Sequence, residues 1–418
     1  MSEAILIFNA GSSSIKFAFY GSENCDLLAQ GSIGKIVTGA PEFRVGCDKE
    51  NWLTGIGSVP KTGSHKELSA WLMDHLDAQK TLTLMAAGHR VVHGGTRFSE
   101  PTLVTPEVVQ QLAEYTPLAP NHQPYSLAAI EAIHYKWPDI KQVVCFDTAF
   151  HRDQPAVSQH FAIPRKLTEE GVIRYGFHGL SYQYIANTLP EVAGSRADGR
   201  VIVAHLGNGA SLCAMRERKS VASTMGFSAL DGLMMGRRCG SIDAGVVFYL
   251  MRHYGKSLDE VEEILYRQSG LLGVSGISSD VRELQQSQAA EAYEALDLFT
   301  YRAACEVGTM AASLSGLDVL VFTAGIGEHS AMIRRKICER CAWLGIDIDP
   351  NANDSGQLKI SSSGSEVDVY VLPTNEEVEI AAATLRRLSD DDDTDYPDLG
   401  RYSHQQPASS LQEAAIIN

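Results

Sequence analysis

Two phosphate-binding signatures are missing from the 418 residues. There is no GxxxxGK[ST] sequence, which leaves an ordinary P-loop unsupported. There is also no G-x-G-x-x-G fingerprint: Gly325-Ile-Gly327 continues into Glu-His-Ser without a third glycine, which argues against a Rossmann dehydrogenase. Positive charge is scarce as well, with 35 Lys and Arg against 51 Asp and Glu and a formal net charge of -16. Such a balance speaks against a protein that coats nucleic acid or an anionic membrane. It leaves room for a small anionic substrate, because a few local Arg and Lys residues reverse the potential within a cleft. The opening Met-Ser-Glu-Ala-Ile lacks the basic region and apolar run of a signal peptide, and no apolar run reaches membrane length. Both point to the cytoplasm. Eight cysteines are scattered through strand-like and helix-like segments, as buried thiols in a reducing compartment would be. Cys338 and Cys341 form one CxxC with no second ligand pair, so they read as ordinary helix cysteines rather than a zinc site.

What is present is ordinary globular material, 44% hydrophobic and 21% charged, in a chain long enough for two domains. The first thirty residues read as strand (Ile5–Phe8), polar turn (Asn9–Ser14), strand (Ile15–Tyr20), turn (Gly21–Asn24) and strand (Cys25–Ser32). The plan returns at Val201–His205, with a Gly-rich turn at Leu206–Ser211 and strands at Leu212–Met215 and Ser220–Met225. Two separated copies of one hairpin unit suggest a duplicated, two-lobed architecture. Thr105 caps an expected helix with Pro106 at its first position. Further helices are expected at 124–135, 243–254, 258–267, 290–314 and 378–388, and strands at 142–146, 318–323 and 369–372. Asp390–Asp393 opens a polar, aperiodic stretch to Asn418 that reads as a disordered acidic tail. The class is α/β with mixed sheets.

Turns of small residues between strands let backbone N–H groups approach phosphate oxygens. Three segments qualify, Asn9–Ser14, Leu206–Ser211 and Ala324–Gly327, and together they point to a nucleotide held between two lobes. Eight ordered motifs then carry a resemblance: Phe8–Ser14, Gly88–Gly95 (GHRVVHGG), Asp147–His151 (DTAFH), Tyr175–Gly179 (YGFHG), His205–Ser211 (HLGNGAS), Met235–Gly240 (MGRRCG), Phe322–Glu328 (FTAGIGE) and Thr374–Glu377 (TNEE). In this order, from about residue 4 to 385, the chain resembles the acetate kinases, the acetokinase family of short-chain carboxylate kinases.

The resemblance implies two duplicated ribonuclease-H-like lobes of the superfamily that joins acetate and sugar kinases, actin and chaperone ATPases. Residues 1–148, completed by a helix at 378–388, form the expected N-terminal lobe. Residues 149–377 form the nucleotide-binding lobe, and 389–418 the tail. It further implies a homodimer using Mg²⁺, with Mn²⁺ as an alternative, and ATP/ADP. A carboxylate attacking a phosphate adds anion–anion repulsion, so the site needs fixed cations. By resemblance Arg90 holds the substrate carboxylate, Arg238 stabilises the transition state, His178 contacts the transferred phosphoryl group, and His122 corresponds to another active-site histidine sharing that work. Asp147 either positions substrate through a metal-bound water or acts as an acid/base; the first is preferred, since a carboxylate nucleophile has no proton to remove. Asn9 and Glu376 organise the metal, with Glu377 adjacent. Lys16 corresponds to a phosphate-binding lysine. His205, Leu206, Gly207, Asn208 and Gly209, then Asp280, Val281 and Arg282, then Gly325, Ile326, Gly327, Glu328 and His329 correspond to nucleotide-binding segments.

Departures concern the acyl pocket. Val92, Asn121, Phe177 and Ala229 match its positions, but Asn121 stands where leucine is common and Ala229 where proline is common. A wetter or roomier pocket follows. FHGLSY replaces the more familiar FHGTSH, and Arg237 stands where threonine is usual. The expected reaction is reversible phosphorylation of acetate by direct in-line transfer. Propionate is the runner-up acceptor, one methylene discriminating by only about 1–3 kcal/mol. A non-catalytic actin- or chaperone-like nucleotide-binding protein is the rival of a different class.

Overall fold

The structure is a computed structural model that describes residues 2–392 except 12, 13, 37–39, 62, 80 and 121. Contacts divide the chain into two compact units: residues up to Ala149 together with those from Asn375 onward, and Phe150–Thr374. Glu376 and Glu377 therefore belong with the first unit, where the sequence had placed them in the second.

The first unit is built on a seven-stranded sheet of order β4-β3-β2-β1-β5-β7-β6. Its strands are β1 (Ser2–Ala10), β2 (Ile15–Gly21), β3 (Leu27–Gly34), β4 (Glu42–Asp48), β5 (Leu82–Val91), β6 (Thr102–Leu103) and β7 (Lys141–Phe146). β1 to β4 form an antiparallel meander, while β5 and β7 run parallel to β1 on its other side. One core gathers Leu6, Phe8, Phe17, Phe19 and Trp52 with Leu68, Leu72 and Ile133 of the helices His65–Asp77 and Gln123–Lys136. Side chains of this size stabilise by about 1.5–3 kcal/mol each when fully buried. The C-terminal helix Glu376–Asp392 packs on β1, β5 and β7. Gly88 makes that approach feasible: a Cβ there would lie 2.4 Å from Thr384 Oγ1 and 2.8 Å from Ile380 Cγ2. The glycine of the GHR motif is thus a packing requirement that brings the first turn of this helix to the end of β5.

The second unit repeats the plan in five strands, order β10-β9-β8-β11-β12. β8 (Val201–Leu206), β9 (Ala210–Arg216) and β10 (Lys219–Ser223) form the meander, and β11 (Val319–Thr323) and β12 (Asp368–Val371) run parallel to β8. β8 and β11 are buried at every residue, which explains their unbroken apolar runs. The helix Gly179–Ala193 contributes Tyr182, Ile185 and Leu189 to the core of this sheet. The helix Ala290–Leu314 packs against β8, β9 and β10. Both sheets are mixed and share one meander-plus-parallel plan, as the duplicated hairpins suggested.

Three expectations need correction. Asn9 and Ala10 lie in β1, paired with Lys16 and Ile15, rather than in a turn. Ala324–Gly327 is the start of a helix, Ala324–His329, not an irregular glycine turn. Ala324 adopts φ +64 immediately after β11, and a Cβ on Gly327 would come 3.5 Å from Ala204 O. That is ordinary van der Waals contact, so the short helix lies on β8 without packing demanding a glycine there. Finally, the helix expected at 378–388 spans Glu376–Asp392, so Asp390–Asp392 continue the helix and are not tail. The rest of the expected tail lies outside the described residues. Cys338 and Cys341 sit at the end of the helix Ala331–Arg340, both buried, with burial pushing the Cys341 thiol up to about 12.

Candidate active site

The site residues of the first unit collect where β1, β5 and β7 end beside the C-terminal helix. Arg90, opposite Cys145 in the parallel register, faces Asp147, which follows β7 and is 2% exposed. Arg90 Nε donates to Asp147 Oδ1 at 2.9 Å and Nη2 to Oδ2 at 2.6 Å. Nη1 donates to Asn9 Oδ1 at 3.4 Å, and Glu376 Oε2 lies 3.7 Å from Nε. Burial works against the guanidinium, yet Asp147 and Glu376 hold its pKa above the ordinary value. Asp147 therefore occupies the planar fork that the sequence had reserved for a substrate carboxylate. Nη1 is the nitrogen Asp147 does not use.

Glu376 and Glu377 begin the C-terminal helix, where the positive helix end favours carboxylates. Burial nevertheless raises both above the carboxylate range, against Arg90 and Lys16 for Glu376 and against Lys16 for Glu377. Glu377 also accepts from Gln30 Nε2 at 2.7 Å. Lys16 faces these carboxylates from β2. Asp147, Glu376 and Glu377 thus stand against the two cations Arg90 and Lys16, an acidic excess offering hard oxygen donors. Among the described residues no group of three His, Cys, Asp or Glu is arranged as a closed metal site. Two carboxylates and the Asn9 amide suit a hydrated magnesium ion, which usually keeps several waters, so the fit is good. His122 precedes the helix Gln123–Lys136, its backbone N–H bonded to Ala119 O. Val92 is buried just past β5. Asn121 lies outside the described residues.

The second unit assembles its residues on the β8–β9 turn. His178 sits in the left-handed region, φ 58, at the start of the helix Gly179–Ala193. Its ring stacks on His205 at 4.2 Å and 16°, and its Nδ1 lies 2.8 Å from Ser211 Oγ. A Cβ on Gly209 would lie 3.3 Å from His178 Nε2 and 3.7 Å from Arg238 Nη1, so both side chains border the same stretch of bare backbone. Arg238 is aimed by Nη1 donating to Ala229 O at 2.9 Å. Its loop is fixed by Gly236 N–H donating to Asn208 O at 3.2 Å, and a Cβ on Gly236 would reach 2.1 Å from Asn208 Oδ1. The same Cβ would come 3.2 Å from Ser279 O, which places Asp280, Val281 and Arg282 beside this loop. Asp280 caps its helix through Arg282 N–H at 2.8 Å and pairs with the Arg282 side chain, chiefly the cause of its lowered pKa. Gly207 approaches Ala324, bringing the 325–329 helix alongside. Burial raises Glu328, whose Oε1 accepts from Thr374 N–H at 3.4 Å. Leu206 and Phe177 are buried, so Leu206 could meet a nucleotide only through backbone.

Two supporting residues carried no role in the sequence reading. Arg334, 1% exposed, donates to the carbonyls of Gly327, Glu328 and Asn353 and to Asn353 Oδ1, closing the end of the 324–329 helix. Its only sequence signal is its spacing with buried Cys338, four residues on. His151 of DTAFH is fully buried; Nε2 donates to Phe177 O at 3.0 Å and Nδ1 faces Ser220 Oγ at 2.8 Å. It braces the backbone before His178.

The acetokinase family model matches residues 4–382. The chain belongs to the acetokinase family. An acetate kinase of Rhodopseudomonas palustris (strain TIE-1) is 51% identical over 394 residues, covering 92% of this chain and 98% of that one. An acetate kinase of Methylocella silvestris is 46% identical over 405 residues, covering 93% and 98%. Among solved structures, the acetate kinase of Porphyromonas gingivalis is similar with TM-score 0.80 and 35% identity, covering 93% of this chain and all (100%) of that one. A propionate kinase from Francisella tularensis is similar with TM-score 0.84 and 36% identity, covering 92% and 99%. Among the described residues of this acetokinase-family chain, no helix is long and apolar enough to cross a membrane.

Proposed function

We propose that this acetokinase-family chain catalyses ATP + acetate ⇌ ADP + acetyl phosphate by direct in-line transfer. The observation that carries the reading is the approach of the His178 ring and the Arg238 guanidinium to the Gly209 backbone, where a Cβ would lie 3.3 Å from His178 Nε2 and 3.7 Å from Arg238 Nη1. That arrangement suits a phosphoryl group whose charge spreads over its peripheral oxygens. His205 to Gly209, Asp280 to Arg282 and Gly325 to His329 surround it as the nucleotide-binding segments. In the first unit Arg90 holds Asp147 in place, with Nη1 offered to the acyl carboxylate. Both Asp147 oxygens are engaged by Arg90, which supports a positioning role over general base catalysis. Lys16 adds positive charge beside the carboxylates, and His122 supplies a further donor.

Asn9 and Glu376 would hold Mg²⁺, or Mn²⁺ in its place, with Asp147 meeting it through a bound water. When bound, the ion offsets phosphate charge and orients the nucleotide's oxygens. Glu376 is preferred over Glu377 because Glu376 faces Arg90 while Glu377 is engaged by Gln30.

Propionate is the second reading, favoured by the similarity to a solved propionate kinase and by Ala229 in the expected acyl pocket. A cytoplasmic homodimer is the expected state. The helix Ala244–His253 supports it: none of its residues is buried, and Val246, Phe248 and Tyr249 are exposed. A mass of two chains in light scattering would agree with this; a single-chain mass would contradict it. The reaction is tested by hydroxamate trapping with ATP, Mg²⁺ and acetate, propionate or butyrate. Acetate should give the highest kcat/KM; hydroxamate from none of the three would sink the reading.

A further inference from the structure

Tyr182 stands where the family motif more often has histidine, and its side chain is fully buried against Phe150, His151 and His205. Burial pushes the phenol well above its ordinary pKa, so it keeps its proton. The phenol oxygen lies 2.5 Å from Ser211 Oγ, its hydrogen-bond partner among the described residues. Ser211, also fully buried, has His178 Nδ1 on its other side at 2.8 Å. Two hydroxyl protons and one imidazole nitrogen therefore share a closed line.

We propose that Tyr182 and Ser211 are positioning residues that fix His178 as the neutral tautomer with its proton on Nε2, the nitrogen bordering Gly209. This rests on the phosphoryl-contacting role given to His178 above. The proton count supports it. If Tyr182 donates to Ser211 and Ser211 donates to Nδ1, every donor in the line has an acceptor. In the opposite tautomer Nδ1–H donates to Ser211 and Ser211 donates to Tyr182. The phenolic proton is then left in an apolar pocket without an acceptor. Orphaning a buried donor weights the balance by about 5- to 150-fold. Protonating both ring nitrogens is disfavoured in the same way, because Nδ1–H again donates to Ser211 and one hydroxyl proton of the line is left without an acceptor. His205 is held by a parallel device, Nδ1 at 2.8 Å from Ser181 Oγ. The result is an Nε2–H donor already aimed at a phosphoryl oxygen, with no reorganisation needed during transfer.

The tautomer is readable by nitrogen–proton NMR on the full-length protein labelled at histidine, with His178 assigned by its loss in His178→Asn. Wild type should show a single Nε2–H species. Ser211→Ala should give a mixture of tautomers and lower kcat by about 5- to 20-fold, with both KM values within about twofold. Ser211→Thr keeps the hydroxyl and should restore spectrum and rate. Tyr182→Phe should lower kcat less, by about two- to fivefold, because Ser211 retains its own proton for Nδ1. A wild-type Nδ1–H signature overturns the proposal. So does Ser211→Ala that keeps either the single tautomer or the wild-type kcat. The spectrum needs no turnover, so an inactive wild type would sink the functional reading while leaving the tautomer assignment standing.

Discussion

Removing the Arg90 guanidinium should damage stability and catalysis together. Arg90 is the partner of both Asp147 oxygens and lies 3.7 Å from Glu376, while Asp147 is 2% exposed and Arg90 only 21%. In Arg90→Ala the Asp147 carboxylate stays buried without its counter-charge. Breaking a buried pair from one side costs about 3–5 kcal/mol. The partial exposure of Arg90 favours the lower end, about 3 kcal/mol, which at roughly 2–4 °C per kcal/mol lowers Tm by about 6–12 °C. Adding Asp147→Asn should recover part of that loss, with a coupling of about 1–3 kcal/mol, because the stranded charge is gone. Kinetically, Arg90→Ala should raise the acetate KM and also lower kcat, since Asp147 is released, with a smaller change in the ATP KM. The assay is thermal unfolding of the two single mutants and the double mutant, with acetate and ATP titrations. An unchanged Tm in Arg90→Ala, or a raised ATP KM with an unchanged acetate KM, would refute the assignment.

Arg238→Ala should fold normally and lose about 10²–10³ in kcat, as removal of a preorganised donor does elsewhere; a folded mutant with near-wild-type kcat removes Arg238 from the mechanism. Glu377, raised above the ordinary carboxylate pKa by burial, binds more protons folded than unfolded, so its contribution to stability falls as pH rises from the ordinary value through the folded pKa. Glu377→Gln should therefore raise Tm at neutral pH and flatten the dependence, while Glu376→Gln should weaken activation by Mg²⁺; the opposite pattern would exchange their roles. Gly88→Ala should cost about 1–3 kcal/mol by overpacking against Thr384 and Ile380, seen as a lower denaturation midpoint. Asn121→Leu with Ala229→Pro should favour acetate over propionate by about fivefold to tenfold, and the proline keeps the carbonyl that Arg238 uses. An unchanged ratio in folded protein would move Asn121 out of the pocket.

Much of the fold was legible because its signals are local. The Thr105 cap with Pro106, the apolar periodicity of Ala290–Leu314 and the unbroken apolar run of Val319–Phe322 each state their element directly. The Ala324–Gly327 segment misled because glycine was read as a turn former. There Gly325 and Gly327 are helical residues, and their helix packs against β8, a tertiary fact with no local trace. The start of the last helix was missed because Glu376 and Glu377 carry no apolar pattern; the Asn375 side chain caps it by accepting from Val378 N–H at 3.1 Å. For the site, motif residues were legible one by one, but not their mutual engagement. That Asp147 fills the Arg90 fork, that Arg334 lies buried, and that Tyr182 reaches His178 through Ser211 all depend on residues 29 to 57 positions apart or on burial.

The claim that most needs a direct measurement is transfer of phosphate from ATP to a carboxylate oxygen. Phosphorus NMR of the enzyme with ATP, Mg²⁺ and acetate distinguishes the products without coupling enzymes. An acyl phosphate resonance that grows in step with ADP, and disappears when acetate is omitted or His178 is replaced by Asn, is the expected result. ADP accompanied only by inorganic phosphate, at the same rate with and without acetate, would contradict it and identify a nucleotide hydrolase on the same fold.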